Sequence, residues 1–196
     1  MSSRVLISIY ILILALTGCR NYLESISPVD NDRARLTEAK LALNDRDYAL
    51  ALTWIGRMGT DYRATREVKY IEASAHSGLC GMEVMSFFQT VDDAAGSGIN
   101  LFKILMAAFK GGTLDQMSAC RSAENLLRSI SATASLRTEN ENIFLALVSL
   151  AKIGIILNEG ADANDDGVLD TFAVTDHCDA NIVIANAEAD EMITGL

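Results

Sequence analysis

The chain has 196 residues, enough for one domain with a substantial core and too few for two of ordinary size. Its formal charge of −10 excludes the basic surface that nucleic-acid phosphates require and argues against electrostatic docking on anionic lipid. Half of the residues are hydrophobic, but part of that share belongs to an N-terminal run that is not counted toward the core.

That run, "MSSRVLISIYILILALTGC", opens with Arg4 and is apolar from Val5 to Leu16. At a rise of about 1.5 Å per residue it covers about 18 Å, well short of a hydrocarbon core about 30 Å thick, so it reads as a secretory signal rather than a spanning anchor. Its end, Leu16-Thr17-Gly18-Cys19, resembles the lipobox of bacterial lipoproteins. The resemblance implies removal of residues 1–18 and acylation of Cys19, an anchor in the lipid bilayer with each buried methylene worth about 0.8 kcal/mol. Arg20 stands where an aspartate would, by that family's sorting rule, retain the protein in the inner membrane. The expected location is therefore the outer membrane, with the domain facing the periplasm. Losing the leader removes Arg4 alone among its charged groups, so −10 becomes about −11.

Three cysteines remain, Cys80, Cys120 and Cys178, in what would be an oxidising compartment. They allow one internal bridge in three ways. The preferred pairing is Cys120 with Cys178, which would tie the far side of an acidic loop to the middle of the domain.

Residues 19–33 hold the only proline, Pro28, and little periodicity, and read as a tether. From Ala34 onward helix formers dominate and no strand alternation is sustained, so residues 34–196 form a single all-α domain, a helical bundle. Leu36, Ala39 and Leu43 share one helical face, and Tyr48, Ala51, Leu52 and Ile55 share another, separated by the polar break "NDRDY". The string "AKLALNDRDYALALTWI" resembles the tetratricopeptide repeat at Ala39, Ala42, Leu43, Tyr48, Ala51 and Leu52. The resemblance implies antiparallel helix pairs whose small residues allow close approach while Tyr48 fills the gap between helices. A second unit follows in "EVKYIEASAHSGLCG", with Ala73, Ala75 and Gly78 as small positions, then "MEVMSFFQTV". The closing proline is missing and the spacing departs from 34 residues, so residues 34–95 read as repeat-like pairs built into a larger bundle, 96–196.

Glycines at 96–98 and 111–112 isolate the apolar segment Leu101 to Phe109, which suits a core helix or one lying in the membrane interface. Thr113…Gln116 and Thr138…Glu141 fit capping boxes. The second opens "IFLALVSLAKIGIILN", apolar nearly all round, so residues 143–157 are expected at the centre of the bundle. A last helix, Asp179 to Ile193, places Ile182, Ala185, Ala189 and Ile193 on one face.

Between these two helices lies "GADANDDGVLD". On the EF-hand loop, Asp162, Asn164 and Asp166 take positions 1, 3 and 5, and Gly167 takes position 6. Val168 offers its carbonyl at position 7 and Asp170 takes position 9. Calcium needs 6–8 hard oxygens, and alternate side chains converge on one point where glycine turns the loop sharply. Position 12 is Ala173 instead of the glutamate of EF-hands or the aspartate of dockerin-like loops. The closing oxygens must then come from Asp176 or Asp179, and affinity falls toward about 10⁻⁴–10⁻³ M. The expectation is a structural Ca²⁺ stapling segment 162–173.

His76 and Cys80 stand at i, i+4 and with His177 and Cys178 would supply a zinc set, though nothing in the sequence brings the pairs together. Trp54, Phe87 and Phe88 fit core packing better than a peptide groove. No nucleophile, metalloprotease or phosphate-loop motif is present, so the expectation is a non-enzymatic scaffold for an envelope protein. The alternative is a small-molecule-binding lipoprotein serving a transporter.

Overall fold

Residues 31–82, 84–95, 101–131 and 133–161 are described by a computed structural model. Among them are eight α-helices and one 3-10 turn, with no strand, so the all-α bundle expected from helix-former dominance is what the chain adopts. Cys19, the calcium-type loop with Asp162, Asn164, Asp166, Val168, Asp170, Asp176 and Asp179, and the helix expected at 179–193 lie outside the described residues.

Helix α1 (Asp32–Asn44) begins where the Asn31 side chain accepts a hydrogen bond from the Ala34 amide at 2.8 Å. It ends in a Schellman turn: the Asp47 amide donates to the Ala42 carbonyl and the Arg46 amide to the Leu43 carbonyl. Arg46 takes the left-handed conformation this turn requires, with φ 60°. One residue later Asp47 caps α2 (Tyr48–Gly56), accepting from the Leu50 amide at 3.0 Å. The polar break therefore stops one helix and starts the next within three residues.

The short α3 (Thr60–Arg63) leads into α4 (Arg66–Leu79). Two layers of buried side chains fix how α1, α2 and α4 lie. Ala42, Ala51 and Ala75 meet in one layer, and Leu36, Ala39, Ile55, Met58 and Val68 in another. Residue numbers rise together along α1 and α4 and fall along α2, so α1 and α4 run parallel with α2 antiparallel to both. The alanines leave room for this approach, because a larger side chain would hold the axes apart.

α4 ends in a second Schellman turn with Gly81 at φ 81°, the Met82 amide donating to the Ser77 carbonyl. Helices α5 (Val84–Ala95) and α6 (Leu101–Ala108) follow, then α7 (Leu114–Ile130) and α8 (Glu139–Ala161). Leu105, Met106 and Phe109 are buried in the larger core, so this segment is a core helix rather than an interfacial one. Gly154 of α8 admits the Phe109 ring, which any Cβ there would strike.

Both capping boxes form. Thr113 and Gln116 exchange side-chain and backbone bonds at the start of α7, and Thr138 and Glu141 do so before α8. Every residue from 151 to 158 is buried, as a helix apolar on all sides must be. The span Glu139–Glu159 has mean hydropathy 1.6 and the length to cross a bilayer, and more than half of it is buried inside the protein.

α4 packs most extensively on α7, antiparallel to it: Cys80 meets Cys120 near one end, and Lys69 Nζ donates to the Ser129 carbonyl at the other. This corrects the expected pairing. Cys120 is bonded to Cys80, with Cα atoms 4.9 Å apart, and not to Cys178. The two helices bring the buried pair into bonding range, a relation that loop positions along the chain do not reveal.

Candidate functional site: the helix-pair layer

Tyr48, the first residue of α2, seats its ring on Gly78 of α4, where even a single Cβ would collide with it. The small residue and the aromatic are complementary, and together they lock the turn end of the α1–α2 pair onto α4. Trp54 and Ile71 pack on the lower layer, and the Arg57 guanidinium lies 4.8 Å over the Trp54 ring. Phe87 packs against the larger core beside Phe109, while Phe88 is exposed.

Because α1 and α4 run parallel and α2 antiparallel, the last turns of α1 and α4 and the first turn of α2 lie at the same end of the layer. Three large apolar side chains are exposed there: Leu41 at 51%, Leu50 at 42% and Leu79 at 40%. The buried stripes alone do not pick them out. The signal was available, since Leu41 and Leu50 fall off the stripes defined by Leu36–Ala39–Leu43 and Ala51–Ile55.

Ion pairs hold the layer along its length and at its other end. Glu72, buried, accepts from Arg63 Nε at 3.1 Å and from its Nη2. Burial pushes the His76 pKa below its usual value; Glu72 opposes this and Arg63 reinforces it. Lys40 Nζ reaches Glu67 Oε1 at 2.6 Å, linking α1 to α4 across the surface. Arg66 Nε donates to Glu141 Oε1 at 2.7 Å, tying the first turn of α4 to the first turn of α8. That guanidinium holds the Glu141 carboxyl at a pKa of about 2; burial opposes the shift, and bonds from Thr138 add to it. A shallow basin of about 600 Å³ lined by Asp32, Thr60, Asp61, Tyr62 and Thr65 lies beside α3.

Deeper in the bundle, Lys152 Nζ donates to Glu124 Oε2 at 2.6 Å, and Arg128 grips Oε1 of the same carboxylate at 2.7 and 3.0 Å. Lys152 lies in the helix expected from sequence to be apolar nearly all round, and that pattern does not announce the cluster. A lysine alone in such a helix was the signal, because a buried ammonium needs an anion.

Of the zinc-type set, Cys80 is consumed by its bridge to Cys120 and offers no thiolate. Among the described residues no group of three or more His, Cys, Asp or Glu side chains converges to hold a metal. No family model, curated protein or solved structure matches the chain.

Proposed function

We propose that the chain is a lipid-anchored envelope protein whose α1–α2–α4 layer binds a protein partner, with the acyl chains at Cys19 holding it at the membrane. The observation that carries the reading is the exposure of three large leucines, Leu41, Leu50 and Leu79, at one end of the packed helix layer. An apolar rim on a fixed scaffold suits protein recognition, since little ordering entropy is lost on binding. The arrangement of a helix pair with a third helix parallel to the first, and Tyr48 on Gly78, supports the likeness to tetratricopeptide pairs. The loop at Asp162–Asp170 would add a structural calcium ion. The alternative is a small-molecule carrier for a transporter; among the described residues, the cleft bordering Cys80 measures about 70 Å³ and the basin beside α3 is open.

Photo-crosslinking residues placed at Leu41 and Leu50 in cells test the reading, with Ser118 on exposed α7 surface as the control. A discrete adduct with one envelope protein at the leucine positions, absent at Ser118, is the expected result. Adducts equal at all three positions, or at none, contradict it.

A further inference from the structure

We infer that the Cys80–Cys120 bridge is a redox-set lock on the α5–α6 segment, closed when the chain reaches an oxidising compartment. Where it closes rests on the export reading above; what it closes rests on geometry. The bridge spans 40 positions, and both cysteines are fully buried. The chain leaves α4 through Gly81 and returns at Gly112–Thr113, and these two passages lie side by side. The Gln116 carboxamide links them: its oxygen accepts from the Thr113 amide at 2.9 Å, and a Cβ on Gly81 would come within 2.9 Å of its nitrogen. Ile155 of α8 covers Gly112. The disulfide therefore closes the base of the excursion that carries α5 and α6.

Among the described residues the excursion is held at its base by the bridge and along α6 by packing on α8. α5 packs chiefly on α6, and α6 on α8, where Leu105, Met106 and Phe109 are buried. The α1–α2 layer packs chiefly on α4 and not on the α5–α6 excursion. A cleft of about 70 Å³ borders Cys80, Phe109 and Gln116 beside the bridge. In the closing step two thiols lose two protons and two electrons as the S–S bond forms. The acceptor is the disulfide of a thiol–disulfide oxidant: one cysteine thiolate attacks it to give a mixed disulfide and release one oxidant thiol, and the second cysteine then attacks the protein sulfur and releases the other. Before export the reduced chain keeps α5–α6 loosely held; oxidation completes the fold.

The test is hydrogen exchange on the full chain, purified without reductant, compared with the same protein after phosphine reduction and with Cys80→Ala/Cys120→Ala. Reduction should speed exchange across residues 84–95 and 101–108 by about tenfold or more while α2 changes by less than about twofold. The double variant should show the fast pattern with or without reductant. Should that variant fail to fold, the reduced wild-type chain carries the comparison alone. Exchange unchanged on reduction, or accelerated uniformly over all helices, overturns the lock. Rapid alkylation of intact cells reads the compartment separately. Bridged cysteines support closure after export, whereas free thiols alongside a tenfold exchange response would remove the export premise and leave the mechanical coupling standing.

Discussion

The Lys152 ammonium lies 2.6 Å from the Glu124 carboxylate, with the lysine side chain 1% exposed and the helices α7 and α8 closed around both. Arg128 holds the other oxygen of Glu124 while remaining 44% exposed. Lys152 is thus a fully buried cation whose partner is shared with a cation at the surface. Coulomb attraction in such a site repays desolvation only while both partners are present.

The first prediction follows from that asymmetry. Lys152→Ala should destabilise the protein by about 3–5 kcal/mol, because Glu124 is left buried and only Arg128 remains to hold it. Lys152→Met combined with Glu124→Leu should recover most of the loss, since Arg128 can turn to solvent and the apolar pair fills the space. Chemical denaturation of the single and double variants measures both. A double variant no more stable than Lys152→Ala would show that packing, not charge, governs the site.

Gly78→Ala sets helix propensity against packing. Alanine favours a helix interior by about 1 kcal/mol over glycine. Here its methyl group would strike the Tyr48 ring, and overpacking costs about 1–3 kcal/mol. Net destabilisation is expected, and Tyr48→Ala in the same chain should turn the alanine's effect favourable. The coupling read from a double-mutant cycle checks it; additive effects would contradict the contact.

Arg46 occupies a left-handed position at φ 60°, where glycine is the usual occupant because it has no Cβ. Arg46→Gly should raise stability by on the order of 1 kcal/mol, less whatever the arginine side chain contributes locally. A melting temperature lowered by this change would mean those contacts outweigh the backbone strain.

Glu141 gives a pH signature. Its pKa falls from 4.5 to about 2 on folding, mainly through Arg66. The unfolded chain therefore takes up this proton first as pH drops. The stabilisation is complete above about 4.5 and is lost as pH falls through the window down to about 2. Arg66→Ala should flatten that part of the stability–pH curve and lower stability at neutral pH. A curve of unchanged slope would remove Arg66 as the cause.

Much of the architecture was legible because its signals are local. Thr113…Gln116 and Thr138…Glu141 cap helices by bonds that span three residues, and the alanine stripes declare close helix approach without any partner being known. Tyr48 and Gly78 were each singled out by repeat-like spacing, yet only the folded chain places one on the other. What stayed hidden depends on packing between distant segments. Glu124 lies 28 positions before Lys152, and neither residue names its partner. Cys120 had two candidates, and the choice of Cys80 follows from α4 and α7 lying antiparallel, which no spacing rule supplies. The leucine rim was hidden for another reason: the buried faces had to be assigned before the exposed ones had meaning.

The central proposal is export and acylation of a chain bridged between α4 and α7. Intact mass analysis of the native protein, isolated from membranes without reductant and followed by peptide mapping, tests this most directly. The predicted result is a mature chain beginning at acylated Cys19 and carrying a Cys80–Cys120 cross-link. A chain that begins at Met1, bears no acyl group and holds free thiols at both positions would contradict it.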